Sequence, residues 1–226
     1  MGGHASTLDD VTDRLYSDLR RIYCGAGSKD IERFVANVAR NNSYNPVLDM
    51  ISSIQWDGRS RINDLCTLMR LDDDDALSKT LVFKWLLQTV AMLFNENDAP
   101  AGKQPFGAEF VLCLTSPRQG IGKTSLLRAM ALQNEWFKEG ASIDDRDKDT
   151  VRRCITTWIT ELGELESTMK SDISKLKAFI TQSYDEYRLP YGHADVARVR
   201  HTSLAATCNS TKFLLDPTGN RRFGTV

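Results

Sequence analysis

The stretch EFVLCLTSPRQGIGKTS, from Glu109 to Ser125, decides the fold of this 226-residue chain. Its first half, Phe110–Leu114, is apolar and β-prone, as expected of a buried parallel strand. From Lys123 onward, apolar residues recur at helical spacing. A glycine-containing turn joins the two segments. The stretch therefore predicts a strand, a phosphate-binding loop and a helix, which together begin an α/β fold.

The turn carries groups that bind a nucleotide phosphate. Gly120 and Gly122 let backbone N–H groups converge on an anion, Lys123 adds a charge for the β- and γ-phosphates, and the Thr124 hydroxyl can ligate Mg²⁺. The full pattern G-x-x-x-x-G-K-[ST] requires glycine where this chain has Pro117, so an ordinary glycine-rich turn is the alternative. The predicted phosphate-binding residues are Gln119, Gly120, Ile121, Gly122, Lys123, Thr124 and Ser125.

Composition sets limits on partners and compartment. The chain has 29 Lys and Arg against 30 Asp and Glu, so any contact with nucleic acid must be local rather than the result of a global positive field. The five cysteines show no C-x-x-C pairing, which predicts reduced core residues. No signal peptide and no apolar run of membrane-spanning length is recognisable, so we expect a cytoplasmic protein without a membrane partner.

The first hundred residues predict an all-helical region. Helical stripes run from Thr7 to about Arg40 with a break at Cys24–Gly27, and further helices are predicted from Pro46, over Arg61–Met69 and over about Ala76–Phe94. The acidic run Asp72, Asp73, Asp74 and Asp75 suits the start of that last helix better than a metal site. With the boundary in the loop 95–104, residues 1–100 form the helical region and residues 101–226 the core.

Two further core strands end in polar residues. The run Cys154–Glu164 predicts a strand with Glu161 and Glu164 at its carboxyl end, the edge where an open α/β sheet binds ligands. These carboxylates could hold Mg²⁺ through water and orient the attacking water, or could be two exposed acids. The strand Ser203–Cys208 ends at Asn209, which could bond a phosphate or simply belong to a turn.

Basic residues cluster in two segments near the end of the chain. Asp185–Tyr191 and Arg198–Ala206 predict a projecting β-hairpin that suits a nucleic-acid backbone, although a merely solvated hairpin has the same composition. The paired Arg221 and Arg222 could deliver a guanidinium to a phosphate, in cis or in a neighbouring subunit, or count as surface charge. The candidate DNA-binding residues of the hairpin are Arg188, Tyr191, His193, Arg198 and Arg200.

The order of these elements resembles the virulence-associated protein E family, P-loop ATPases of phages and mobile islands that are similar to superfamily 3 replicative helicases. The resemblance runs from about Asn45 to the last residue. Two departures are Pro117 in the loop and an end at Val226, where relatives usually continue with helices, so we expect the core to be truncated there. The matching motifs are Trp56–Arg59, Gln119–Thr124, Trp158–Glu164, Leu176–Thr181, Arg188–Gly192, Thr207–Asn209 and Gly219–Phe223.

The resemblance implies an α/β P-loop NTPase core, AAA+/superfamily 3 helicase-like, with an N-terminal all-helical domain. Its cofactors would be ATP and Mg²⁺, the latter held by Thr124 and Glu161, partly through water. Glu161 and Glu164 would act in catalysis, and Asn209 would be the sensor. Arg221 or Arg222 would be the arginine finger, which reaches the ATP bound to the next protomer in a ring. The implied partners are single-stranded or forked DNA and further copies of the chain, arranged as a homo-oligomer such as a hexameric ring.

Three functions remain open on the sequence. The first is an ATPase that couples hydrolysis to movement on DNA during replication of a mobile element or phage. The second is a nucleotide-gated switch or assembly module that does not translocate DNA. The third is a small-molecule kinase, which also opens with a phosphate loop but does not account for Glu161, Glu164, Asn209 and Arg222.

Overall fold

The computed structural model describes residues 8–22, 27–96, 104–142, 148–163, 174–188, 195–209 and 221–226. The contacts divide the chain into two compact units, one up to Asp49 and the other from Met50 onward. Residues 1–7, 23–26, 97–103, 143–147, 164–173, 189–194 and 210–220, with the predictions that fall on them, lie outside the described residues.

The first unit is built from helices. The helices α1 (Leu8–Arg21) and α2 (Ser28–Asn41) contact each other, as their apolar stripes predict. At the start of α2, the Asp30 carboxylate accepts a hydrogen bond from the Gly27 N–H. The helix α3 (Pro46–Ser53) begins at the proline whose position predicted it, and Asn45 Oδ1 accepts hydrogen bonds from the backbone N–H groups that follow.

The second unit takes in the end of α3 and continues with two more helices. These are α4 (Ile62–Leu68) and α5 (Ala76–Ala91), and a 3₁₀ turn at Met92–Phe94 continues α5. Asp75 caps α5, since its side chain accepts the Ser78 N–H at 2.9 Å. Hydrogen bonding from the Ser78 side chain, and then from its backbone, lowers the pKa of the Asp75 carboxyl group. The acidic run therefore provides the helix cap that the sequence predicted.

Seven strands follow in the described part of the chain. They are β1 (Val111–Thr115), β2 (Phe137–Ala141), β3 (Ile159–Leu162), β4 (Tyr184–Arg188), β5 (Asp195–Val199), β6 (Ser203–Cys208) and β7 (Phe223–Thr225). Five of them form one parallel sheet in the order β2-β3-β6-β1-β7, while β4 and β5 form a separate antiparallel hairpin. Because all five sheet strands run parallel, their carboxyl ends meet at one edge.

Helices cover both faces of the sheet. On one face, α7 (Lys148–Cys154) and α8 (residues 174–180) pack with Val111, Cys113, Leu162, Leu204 and Ala206 in one buried cluster. On the other face lie α5 and α6 (Lys123–Met130), which contact different strands. The side chains of Glu161 and Thr207 belong to this second face, because neighbours in a strand alternate between faces. The described cysteines, Cys66, Cys113, Cys154 and Cys208, are buried thiols, as expected.

Helix α5 belongs to the sheet rather than to the first helices. The indole N–H of Trp85 donates to the Leu204 carbonyl at 2.9 Å, and Gln88 bonds the backbone of Glu109 and Phe110. By length and composition, Ala76–Phe94 could cross a membrane, but these bonds are those of a helix packed on a core. The contacts divide the compact units after Asp49, and the boundary predicted in the loop 95–104 stays a prediction.

The second predicted strand is shorter than its β-branched run suggests. Only Ile159–Leu162 is a strand, because residues 148–154 form α7 and place Cys154 against the sheet. Two outer strands, β2 and β7, were not predicted. In β2 the three central residues are exposed, which removes the alternation that identifies a strand, and β7 has only three residues.

Candidate functional site at the carboxyl edge

The predicted phosphate loop lies at the carboxyl edge of the sheet, between β1 and α6. Gly120 and Gly122 have φ values of 72° and 89°, a left-handed backbone that favours glycine. A Cβ atom added at either position would meet no described atom within 4 Å, so the space above the turn is open. Gln119, Ile121 and Ser125 are exposed around it, and Lys123 and Thr124 are half-buried.

Glu161 lies next to this loop although β6 separates its strand from β1. Its Oε1 accepts a hydrogen bond from the Thr124 hydroxyl at 2.8 Å and another from the Thr207 hydroxyl at 2.7 Å. The Glu161 side chain is only 3% exposed, and its Oε2 is buried with no hydrogen-bond partner among the described residues. A buried carboxylate oxygen without a donor is costly, which favours a ligand at that position.

A second contact joins the loop to the end of β6. Lys123 Nζ donates a hydrogen bond to Asn209 Oδ1 at 3.2 Å. Lys123 and Asn209 are 86 positions apart in the chain, and they meet because β1 and β6 are parallel neighbours. The structure therefore brings Lys123, Thr124, Glu161 and Asn209 together, while Glu164 lies outside the described residues.

The residues present fit a hydrated Mg²⁺ ion. No cluster of three His, Cys, Asp or Glu side chains occurs in the described part of the chain, so an all-protein cage is not what these residues offer. Mg²⁺ in nucleotide sites usually takes one or two protein oxygens together with waters and phosphates. The Thr124 hydroxyl and the partnerless Glu161 Oε2 are oxygens of the required kind.

Arg221 and Arg222 lie at the opposite edge of the sheet. The Val111 N–H donates to the Arg222 carbonyl at 2.8 Å, and Phe223 pairs with Val111 at the amino end of β1. The length of β1, about 13 Å at 3.3 Å per residue, separates that end from the phosphate loop. The Nε of Arg222 is buried and has no partner among the described residues. This position does not favour a cis contact with the loop.

The prediction that Arg200 binds DNA is wrong, because its side chain is buried. Arg200 is 1% exposed, and its guanidinium pairs with Asp185, donates to the Phe179 carbonyl and lies over the Phe179 ring. It therefore anchors the base of the hairpin rather than facing solvent. Arg188 and Arg198 lie on the hairpin strands, and Arg198 is half-buried. Tyr191 and His193, the other two candidates, lie outside the described residues.

Thr207 is the site residue to which the sequence assigned no role. It lies two residues before Asn209 in β6, and strand alternation places its side chain on the face of Glu161. Two features of the sequence indicated a role for Thr207: it lies in the motif Thr207–Asn209, and it is separated from Asn209 by two positions, which places both side chains on one face of a strand. The contact of Thr207 with Glu161 of β3, however, depends on the order of the strands in the sheet, which could not be predicted from the sequence.

The Trp56–Arg59 motif lies in an exposed turn apart from these contacts. Arg61 pairs with Asp57 at 2.5 Å, and Arg59 pairs with Asp64 at 3.0 Å. The hydrogen bond from Arg61, with a second from the Arg59 backbone, lowers the pKa of Asp57 to about 2. Trp56 is 75% exposed, so its ring does not anchor this turn in a core.

The architecture and the site define a class: an α/β protein with a parallel five-stranded sheet whose polar groups gather at the carboxyl edge. Residues 51–226 match the virulence-associated protein E-like domain, and the chain belongs to that family. The family resemblance stated from the motifs is thereby confirmed. No curated protein matches the chain.

Solved structures show the same fold. The apo structure of the NrS-1 C-terminal region (305–718) superposes with a TM-score of 0.52 at 16% identity over 81% of this chain. An A-form apo structure of the same region gives a TM-score of 0.51 at 18% identity. This chain covers 41% and 39% of those two chains, so it spans about two fifths of their length.

Proposed function

We propose that this chain is the ATP-binding and ATP-hydrolysing module of a DNA replication protein of a phage or mobile element. In this proposal it is a helicase-like motor that works as a homo-oligomeric ring on single-stranded or forked DNA. The observation that carries the proposal is the pair of contacts Thr124–Glu161 and Lys123–Asn209, which join a glycine turn to two neighbouring strand ends. A solvated glycine turn needs neither contact.

Each residue then has a role in phosphate chemistry. The backbone of Gln119–Ser125 and the Lys123 ammonium hold the β- and γ-phosphates, since the start of a helix and a lysine both favour an anion. Lys123 exchanges Asn209 for phosphate when the nucleotide binds. Bound Mg²⁺, held by Thr124 and Glu161, supplies charge neutralisation across the phosphate oxygens. Asn209 is then available to bond the γ-phosphate or the attacking water.

The DNA and ring parts of the proposal rest on different grounds. Membership of the virulence-associated protein E-like family supports them, because the motifs of that family resemble those of superfamily 3 helicases. The hairpin strands carry Arg188 and Arg198 in sequence, and the half-buried Arg198 is an arginine of the hairpin that could contact a nucleic-acid backbone. Arginines at the far edge of the sheet suit a ring, where one subunit can complete the site of the next.

ATP hydrolysis by purified protein, with and without single-stranded DNA, tests the proposal. We expect hydrolysis that DNA stimulates, and a loss of about 100-fold in kcat for Lys123→Ala and for Glu161→Gln. Glu161→Gln should still bind nucleotide, whereas Lys123→Ala should bind it weakly. Lys84→Ala is the matched control. Lys84 is exposed on α5, and its substitution removes the same charge at a position away from the site.

The outcomes separate the candidate functions. A Lys123→Ala protein that hydrolyses ATP at the rate of the parent contradicts the proposal. Hydrolysis that DNA does not change, combined with oligomers that form only with ATP, indicates the nucleotide-gated switch instead. Transfer of the phosphate to a metabolite indicates a small-molecule kinase. Mass in solution, measured with and without ATP, completes the comparison.

A further inference from the structure

Two hydroxyl groups hold the same oxygen of Glu161. Thr124 and Thr207 donate to Oε1 at 2.8 and 2.7 Å, so the two lone pairs of that oxygen are occupied. The carboxylate is 3% exposed, and water does not compete freely for it. Hydrogen bonds to a charged acceptor are short and strong, which fixes the rotation of the carboxylate about its last bond.

The fixed rotation decides where the other oxygen points. Oε2 is buried and without a partner among the described residues, while Oε1 is bonded to Thr124, in the first turn of α6 directly after the phosphate loop. Oε2 is therefore the coordinating atom that Glu161 can still offer. A buried acceptor in this state is stabilised by a cation or by a water that a cation holds.

The two hydroxyls differ in what else they can do. Thr124 lies at the phosphate loop, and its oxygen keeps lone pairs for a cation while its hydroxyl donates a hydrogen bond to Glu161 Oε1. Thr207 lies in β6, a strand that runs between β3 and β1, and its own backbone pairs with Leu114 of β1. A group held in the centre of a sheet moves less than one on an exposed loop.

We propose that Thr207 is a positioning residue, which holds Glu161 Oε1 so that Oε2 faces the hydrated divalent cation of a bound nucleoside triphosphate. Thr207 itself touches neither the cation nor the nucleotide. The inference rests on the proposed function, because it requires a nucleotide and its cation at the carboxyl edge. The Mg²⁺ dependence of nucleotide binding then depends on a hydroxyl of β6, a strand that carries neither the phosphate loop nor Glu161.

The test is the Mg²⁺ dependence of binding of a fluorescent ATP analogue. Thr207→Val keeps the β-branched shape and removes the hydroxyl. We expect it to raise the half-saturating Mg²⁺ concentration about 10-fold, the usual effect of losing a group that orients a metal ligand. Binding of the analogue in the absence of Mg²⁺ should not change. Thr207→Ser, which restores the hydroxyl, should return the Mg²⁺ dependence close to that of the parent.

Thr202→Val is the matched control. Thr202 immediately precedes β6 at its other end, is 1% exposed, and its hydroxyl bonds the carbonyl groups of Ile155 and Thr157. We expect this variant to lower the unfolding temperature without changing the Mg²⁺ dependence. The comparison separates loss of a buried hydroxyl in general from loss of the one on Glu161.

Each result bears on a different claim. A Thr207→Val protein that is folded and keeps the Mg²⁺ dependence of the parent overturns the inference, as does a Thr207→Ser protein that resembles Thr207→Val. In both cases ATP hydrolysis by the parent leaves the proposed function intact. A parent protein that does not bind the analogue with or without Mg²⁺ overturns the proposed function and the inference together.

Discussion

At the scale of single residues, the half-buried His201 makes the stability of the fold depend on pH. Its Nδ1 lies 3.0 Å from the Met92 carbonyl oxygen, so the neutral ring donates there. Burial lowers the pKa of His201 below its ordinary value of 6.5, and the bond to Met92 opposes this shift only in part. The unfolded chain therefore takes up the proton more readily than the folded chain.

The sign of the effect follows from that difference. The neutral ring stabilises the fold above about pH 6.5, and this contribution is lost as the pH falls toward the lower pKa of the folded state. We expect the urea midpoint to fall between pH 7.5 and 5.5, and to fall less in His201→Gln, whose amide can still donate to Met92. Tryptophan fluorescence measures both. An equal fall in the two proteins would show that other groups are responsible.

The residues that meet at the site could be predicted from the sequence where they lie at the ends of strands or at the start of a helix. Lys123 and Thr124 begin a predicted helix, Glu161 and Asn209 lie at the ends of predicted strands, and the structure brings all four together. Arg200 was not predictable, because its composition suits solvent and only the fold places Asp185 and Phe179 beside it. A buried arginine is identified by its partners, and its partners are set by tertiary structure.

At the scale of elements, the hairpin depends on that buried ion pair. Asp185 and Arg200 are 3% and 1% exposed, and the guanidinium also donates to the Phe179 carbonyl of α8. The Arg200 carbonyl accepts from Asn95, just after α5. The base of the β4–β5 hairpin is thus tied to helices on both sides of the chain's core sheet.

We expect Asp185→Asn to lower the free energy of unfolding by about 3 kcal/mol or more, because it leaves a buried guanidinium charge unpaired. Glu186→Gln is the control: it lies next along β4, is exposed, and should change stability by less than about 0.5 kcal/mol. Urea unfolding followed by tryptophan fluorescence measures both. The double variant Asp185→Leu/Arg200→Met should recover part of the loss. If Asp185→Asn is as stable as Glu186→Gln, the ion pair does not hold the hairpin.

Elements with a strong pattern were predictable, and those at the edges of the sheet were not. The apolar runs of β1 and β6 and the stripes of α1 and α2 predicted their elements within a residue or two. Strand β2 exposes its three central residues, and β7 packs Gly224 against the Phe110 ring, where an added Cβ would lie 2.6 Å from ring carbons. Such strands are defined by their neighbours rather than by alternation.

At the scale of the whole molecule, the positions of the arginines predict how copies of the chain cooperate. Arg221 and Arg222 lie at the amino edge of the sheet, and the phosphate loop lies at the carboxyl edge. In a head-to-tail ring, the two edges of neighbouring subunits can face each other even though they are far apart within one chain. In the proposed ring, we therefore expect Arg221 and Arg222 to contribute to hydrolysis in trans.

Mixing two inactive variants tests this arrangement. Lys123→Ala lacks a competent loop but keeps its arginines, and Arg221→Ala/Arg222→Ala keeps a competent loop. Each alone should lose at least about 100-fold in kcat, since an arginine finger contributes that much or more. In an equal mixture, random assembly pairs a competent loop with an intact arginine at about a quarter of the interfaces, so about a quarter of the parental activity should return. Lys84→Ala mixed with either variant controls for dilution. If no ratio of the two variants restores hydrolysis, the arginines do not complete the neighbouring site.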